Sequence, residues 1–211
     1  MIAGLILAAG GSVRMGRPKI GLDVGGRAML MHVTDAALAA ALPDIVVVLG
    51  GTNASGSDAM LRLPADARAA IAALGRTEGV RIVQNPDAAT GQASSLRVGL
   101  HAMRREADAA VVLLADQPTV RPDAIRAVVE AFDPTAEPVI QASYAGVPSH
   151  PTLLGRTIWH DVASLTGDEG ARSLIAQHPG WRRLVEVGGE APMDVDTPDD
   201  LGRLRSKLSR R

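Results

Sequence analysis

The chain has no cysteine, almost no aromatic residues and no long uninterrupted apolar run, and each absence removes a class of function. Without cysteine, its 211 residues hold no disulfide, no thiolate metal ligand and no cysteine nucleophile. Aromatic residues make up 2% of the composition, too few for the stacking platforms that hold single-stranded nucleic acid. Net charge is −1, with cations spread along the chain, so the basic field of a duplex-binding protein is missing as well. The opening apolar run, Ile2 to Ala8, gives way to glycines. It is too short for a membrane span and has no charged region before it of the kind that opens a signal peptide. A cytoplasmic protein without nucleic-acid or membrane partners is expected.

What is present is a hydrophobic content of 46%, carried by Ala, Val, Leu and Ile. That supports a sizeable core, and the length suits one domain over residues 1–211 rather than two. Apolar runs at Ile2–Ala8, Ile45–Leu49, Val80–Val83, Ala109–Leu114 and Val139–Ala142 predict strands. Helical patterns fill Arg27–Leu42, Ser57–Leu74, Gly91–Glu106 and Pro122–Phe132, with Pro64 interrupting the second or marking its true start. Strand and helix thus alternate, and the strands read as unbroken apolar runs. This is the pattern of a doubly wound, mostly parallel sheet flanked by helices. The last third is less regular. It suggests a strand running from Ala142 into a turn near His150-Pro151, short helices at Thr157–Leu165 and Glu169–Gln177, a strand at Leu184–Val187, and a helix at Pro198–Leu208 capped by Thr197. The cations of the tail from Arg203 onward read as a solvated helix end.

The first strand empties into LAAGGSVRMGRPK, Leu7 to Lys19, with Gly10, Gly11 and Gly16 beside Arg14, Arg17 and Lys19. Glycines allow close backbone approach to a ligand, and consecutive N–H groups form an anion-binding concavity. Arginine adds a fork of donors and lysine a compact charge, both suited to phosphate. The usual phosphate motifs fail. Arg17-Pro18 stands where a P-loop needs Lys-Ser/Thr, and there is no G-x-G-x-x-G. In a doubly wound sheet, ligands bind at the carboxyl ends of the strands. Asp116 in ADQP, after Ala109–Leu114, sits at such an end. By residue type alone it fits a metal-binding carboxylate and a turn cap equally. Asp194 and Asp196 in MDVDTP would share one side of an alternating strand, where two like charges need a cation or hydrogen bonds. Ser94 and Ser95 in GQASSL fit a helix start.

LAAGGSVRMGRPK resembles the signature of the molybdenum cofactor cytidylyltransferases within the MobA-like nucleotidyltransferases. ADQP, DVDTP, GQASSL, His150-Pro151 and TGDEGAR (Thr166 to Arg172) resemble further segments of that family in family order, from Ile2 to Leu201. Ser149 departs from a Gly-His-Pro turn, and Gln92 stands where methionine is common in the family. The resemblance implies a Rossmann-like nucleotide-diphospho-sugar transferase type of fold. It implies nucleotide contacts at Leu7, Ala8, Ala9, Gly10, Gly11, Ser12, Arg14, Met15, Gly16, Lys19, Gly91, Gln92 and Ser95. Lys19 and Arg14 would act on the triphosphate with Asp116 as catalytic groups. Asp116, Asp196 and Asp194 would hold Mg²⁺ or Mn²⁺, and His150, Asp168 and Arg172 would face the acceptor. The Ala8-Ala9-Gly10 form resembles the CTP-using branch. The implied reaction transfers CMP from CTP to the phosphate of molybdopterin, releasing pyrophosphate. The alternatives are another NTP or phosphorylated acceptor on the same fold, or a non-catalytic cofactor-binding assembly factor serving a client molybdoenzyme.

Overall fold

In the structure, a computed structural model, residues 1–10, 15, 18–51, 59–168 and 170–208 are described. Strand β1 (Ile2–Ala8) is buried along almost its whole length and pairs in parallel with β4 (Ile45–Gly50) on one side and β6 (Ala109–Leu114) on the other. β5 (Val80–Asn85) extends the sheet beyond β4, again in parallel. On the far side come β8 (Val147–Gly155), β7 (Val139–Tyr144) and β9 (Arg182–Glu186), so that the order is β5-β4-β1-β6-β8-β7-β9. β8 alone among these seven runs antiparallel, to β6 and to β7. The apolar runs are those of strands covered on both faces, as the sequence predicts.

Two helical layers cover the sheet. Helices α1 (Met29–Ala39), α2 (Ala65–Leu74) and α4 (Pro122–Glu130) bury Leu30, Val33, Ile71, Ile125 and Val128 against Ile6, Val47 and Val111. Helices α3 (Gln92–His101), α5 (Trp159–Ala163) and α6 (Ala171–Gln177) bury Leu96, Leu100, Val162 and Ile175 against Leu5, Val46 and Val112. Odd and even residues of one strand serve opposite layers, as the period of two requires. At Gly99 an added Cβ would lie 2.3 Å from a Leu5 methyl, which explains glycine there: it lets α3 seat directly on β1. A third small core joins the hairpin of β2 (Asp23–Val24) and β3 (Arg27–Ala28) to α7 (Pro198–Leu208) through Leu22, Val24, Met29, Val195, Leu201 and Leu204. α7 opens with a reciprocal cap. The Thr197 N–H donates to Asp200 at 2.8 Å and the Asp200 N–H to the Thr197 hydroxyl at 3.2 Å. The Thr197 hydroxyl donates to the same Asp200 carboxylate at 2.7 Å, and that bond, then Arg203 and the Thr197 N–H, hold the carboxyl well below the usual carboxylate range.

Several sequence expectations need correction. Val147 to Pro151 is not a turn but the start of β8. The chain reverses earlier, at Ala145-Gly146, where φ is +49° and +81°, the twist that a two-residue hairpin turn demands. Arg27-Ala28 belongs to a strand pair rather than to a helix. Pro64 marks the true start of the second helix, which runs from Ala65. The helix expected at Gly91–Glu106 ends at His101, and the short ones of the last third shrink to Trp159–Ala163 and Ala171–Gln177. The MDVD segment is not a strand at all. Its Val195 is fully buried, and its backbone is held by one bond to Asp116 and another to Thr119. Those contacts serve tertiary structure instead of a ladder.

Candidate active site

β1 and β6 lie at the point where the chain's progress across the sheet changes direction: β4 and β5 build outward on one side, and the strands after β6 on the other. Crevices at the carboxyl ends of the strands beside such a point are where doubly wound sheets bind ligands. The Ala115 N–H donates to Leu7 O at 3.0 Å, so the residue after β6 is held against the end of β1. Asp116 is next. Its Oδ2 accepts from Lys19 Nζ at 3.3 Å, and the same Nζ also donates to Asp196 Oδ1. Val195 supplies the geometry for the second contact. Its N–H donates to Asp116 O at 2.9 Å while its side chain is buried under α7. Asp194 and Asp196 are thereby carried to either side of a fixed residue, and they do not converge on one point. Asp196 meets Lys19, whereas Asp194 accepts from Gln117 Nε2 at 2.9 Å.

Charge at this centre is finely balanced. Burial raises the Asp116 carboxyl above its usual range; the Lys19 ammonium opposes that, and the Asp194 charge adds to it. Burial lowers Lys19, but the bonds and charges of Asp196 and Asp116 outweigh it and leave the ammonium above its usual value. Lys19 therefore stays charged at neutral pH, clamped between two carboxylates.

Two cavities open on either side of this centre. A lobe of about 240 Å³ is lined by Leu7, Ala8, Ala9, Gly10, Lys19, Gly91, Gln92, Ser95 and Asp116, with Ala88 and Asp168. A larger one of about 720 Å³ is walled by residues including His150, Arg172, Arg182, Gln117, Gln141 and Asp194. Leu7, Gln92, Leu114 and Asp168 line both, so the two are halves of one cleft. Gly91 shapes the junction. At φ +114° its missing Cβ would sit 2.1 Å from the Gly167 carbonyl, and the Ala93 N–H donates to Gly167 O at 3.1 Å. The turn carrying Asp168 is therefore laid directly over the start of α3. In the larger lobe His150 points Nδ1 at Val112 O, 3.3 Å away. A carbonyl only accepts, so Nδ1 carries the proton. Burial lowers the ring's pKa; the Val112 bond and Asp194 oppose this, and Arg172 adds to it.

Of the residues picked out by sequence, Leu7, Ala8, Ala9, Gly10, Lys19, Gly91, Gln92, Ser95 and Asp116 come together in the smaller lobe. His150, Asp168, Arg172 and Asp194 line the larger. Asp196 joins through Lys19, and Met15 packs against the small α7 core rather than lining a cavity. Gly11, Ser12, Arg14 and Gly16 lie outside the described residues. His150 sits inside β8, with a cis bond to Pro151. Sequence reasoning missed Asn85, Gln117, Gln141 and Arg182. Gln117 stood inside the ADQP motif but was passed over for its neighbour. Asn85 looked only like the residue that ends a strand before proline.

Among the described residues no three His, Asp or Glu side chains are grouped to hold a metal by themselves. Mg²⁺ and Mn²⁺ need less, since one or two carboxylates suffice when substrate phosphates complete the shell. Asp116, crowded by Asp194 and already partnered by a cation, has the donor chemistry such an ion needs. The residues fit a divalent cation that arrives with a phosphate ligand.

Residues 4–182 match the MobA-like NTP transferase domain. The chain is 31% identical to the purine catabolism protein PucB of Bacillus subtilis over 99% of its length and 98% of that protein. It is 28% identical to a 2-C-methyl-D-erythritol 4-phosphate cytidylyltransferase of Streptomyces coelicolor, over 94% of this chain and 71% of that one. The crystal structure of Rv0371c from Mycobacterium tuberculosis superposes with a TM-score of 0.79 at 32% identity, covering 97% of both chains. A manganese complex of Rv0371c superposes with a TM-score of 0.72 at 29% identity, over 97% of this chain and 98% of that one.

Proposed function

This chain belongs to the MobA-like NTP transferase family of nucleotidyltransferases, and from that premise we propose that it transfers CMP from CTP to the phosphate of molybdopterin with release of pyrophosphate, acting as one domain over residues 1–211. The observation that carries the reading is the two-lobed cleft centred on Lys19 and Asp116. A nucleotidyl transfer needs two ligands meeting at one phosphorus. The smaller lobe, floored by the glycine-rich end of β1, takes the nucleoside triphosphate. The larger one, with Arg172 at its wall, takes the acceptor and its anionic phosphate.

In the reaction an acceptor phosphate oxygen attacks the α-phosphorus. A new P–O bond forms, and the bond to the bridging oxygen of pyrophosphate breaks. The attacking oxygen is already an anion, so no side chain has to take a proton from it. Catalysis then rests on alignment and charge neutralisation. Lys19 holds its ammonium charged where negative charge develops on the leaving pyrophosphate, and Arg14 is assigned to the same triphosphate from the motif. Asp116 and Asp196 would hold a divalent cation, with Asp194 adding its charge from the Asp116 side; the ion would supply charge neutralisation at the phosphate oxygens. Gly91, Gln92 and Ser95 contact the nucleoside half of CTP. His150, Asp168 and Arg172 face the acceptor.

The choice of CTP rests on Ala8-Ala9-Gly10, and it agrees with the name of the Streptomyces relative. The name of the Bacillus relative speaks of purine catabolism rather than of transfer, so the second reading kept beside this one is a non-catalytic, cofactor-binding assembly factor. The deciding assay is pyrophosphate release with Mg²⁺, molybdopterin and each of CTP, GTP, ATP and UTP. Release with CTP alone supports the reading. Release with another nucleotide overturns the base assignment. Nucleotide binding without release from any of the four overturns the choice of molybdopterin as acceptor.

A further inference from the structure

We propose that Asn85, a residue outside the cleft lining, is a positioning residue: it fixes the hydroxyl of Ser95 as a hydrogen-bond donor to the nucleoside half of the bound nucleotide. The inference rests on the reading of the smaller lobe as the nucleotide site. Asn85 ends β5 and is completely buried. Its amide orientation is settled by its neighbours. Oδ1 accepts the backbone N–H of Asp87 at 2.9 Å, a group that can only donate. Nδ2 must then face α3, where it donates to Ser94 Oγ at 2.8 Å and to Ser95 Oγ at 2.9 Å. The two amide protons are shared out between two hydroxyls.

The consequences for those hydroxyls differ. Each now accepts from Asn85 and has one proton left to give. Ser94 gives its proton back to the protein, with Gly91 O at 2.8 Å and Asp87 O at 3.0 Å as acceptors. Ser95 has no acceptor among the described residues, although a helical serine commonly turns back on the carbonyl one turn earlier. Its residue lines the smaller lobe beside Ala88, Gly91 and Gln92. Asn85 thus occupies one lone pair of Ser95 from the protein side and leaves the proton to point at a ligand. A neutral donor suits a neutral acceptor atom, a carbonyl oxygen or ring nitrogen of the base or an oxygen of the ribose, rather than a phosphate already served by Lys19.

The test is a double-mutant cycle read by calorimetric binding of CTP with Mg²⁺, with inorganic tripolyphosphate as the control ligand. Ser95→Ala should weaken CTP about tenfold, the effect of one hydrogen bond made in a desolvated site, and leave tripolyphosphate unchanged. Asn85→Asp replaces the donating NH₂ with an oxygen, so Ser95 turns its proton inward onto the carboxylate. It should lose a similar factor for CTP alone. The Asn85→Asp/Ser95→Ala double variant should lose no more than either single, because both act on one bond. If the buried carboxylate prevents folding, Asn85→Ala takes its place in the cycle and should likewise lose CTP affinity only while Ser95 is present. Independent losses that multiply in the double variant would overturn the proposal, as would equal weakening of tripolyphosphate. Wild-type preference for another NTP would defeat the CTP assignment, and the same cycle would then be read with that nucleotide. Failure of the wild type to bind any NTP would overturn the nucleotide site and this proposal with it.

Discussion

Lys19→Ala separates chemistry from stability more sharply than any other substitution in the cleft. The side chain is 14% exposed, but its partners Asp116 and Asp196 are 32% and 45% exposed. Without the ammonium those carboxylates turn to water, so the lost ion pairs are screened and cost about 1 kcal/mol, a fall in Tm of roughly 2–4 °C for a chain of this size. The effect on turnover should be far larger. A fixed charge aimed at a developing anion is worth about 10²–10³ in rate, or roughly 3–4 kcal/mol. Acidity offers a third readout. Lys19 is what holds the Asp116 carboxyl down against burial and the Asp194 charge. Its removal should therefore move the acid limb of the kcat/KM profile to higher pH, and Lys19→Arg should restore the limb. The assay is pyrophosphate release across pH with a thermal melt of each variant. Activity within threefold of wild type would refute the catalytic role. A large fall in Tm with a proportionate loss of activity would make Lys19 a structural residue.

Gly91→Ala places a methyl about 2.1 Å from the Gly167 carbonyl at φ +114°, so we expect a loss of about 2 kcal/mol in denaturant unfolding together with a raised CTP KM, because the turn bearing Asp168 must lift off α3. Asp44 is fully buried at the opposite end of the sheet and accepts from Arg81 at 2.6 and 3.0 Å and from Arg104 at 3.2 Å. Asp44→Ala should cost about 2 kcal/mol, since both arginine heads reach solvent, with activity per folded molecule unchanged. His150 has its pKa lowered from 6.5 by burial, so its neutral form is favoured in the fold. Stability from this group is complete above pH 6.5 and is lost as pH falls toward the lower folded value. Chemical denaturation at several pH values should show His150→Gln losing less stability than wild type over that acid range.

The parts of this fold that were legible in the sequence are those in which one local signal decides. Ile2–Ala8 and Ala109–Leu114 were read to the residue because strands buried on both faces leave an unbroken apolar run closed by glycine or a turn. Pro198–Leu208 was equally plain, since Thr197, Pro198 and the first-turn acids all mark a helix start. Val147–Gly155 was not, because Val147-Pro148-Ser149-His150-Pro151 carries the composition of a turn. Its first residues are held extended by the hairpin with β7, through Val147, Pro148 and Ser149, and from Thr152 onward the strand pairs with β6 as well, a property of the partners rather than of the segment's own composition. MDVD failed in the opposite direction. Its alternation mimics a strand, but the burial of Val195 comes from α7 and not from a sheet. Short segments are where tertiary contacts override local preference.

The same distinction divides the residues of the cleft. Those assigned to the ligand are announced by motif, because glycine, lysine and aspartate at strand ends have few other reasons to stand together. Those that aim them are silent in the sequence, and this matters more for a nucleotidyltransferase than for an enzyme with a proton to move. Where the nucleophile is already an anion, the protein's contribution is almost wholly placement and fixed charge. The groups that set placement then carry as much of the rate as the groups that make contact. Gln117 holds Asp194 away from Asp196, Val195 holds the backbone of Asp116, and Asn85 turns Ser94 and Ser95 in different directions. Each acts through a hydrogen bond or a buried side chain that joins residues far apart in the chain or on different elements, and no spacing rule along the chain could have disclosed it. It follows that relatives with the same motifs can differ in nucleotide and acceptor through such residues alone, and that base choice should be sought at the ends of β5 and β6 as much as in the glycine-rich loop.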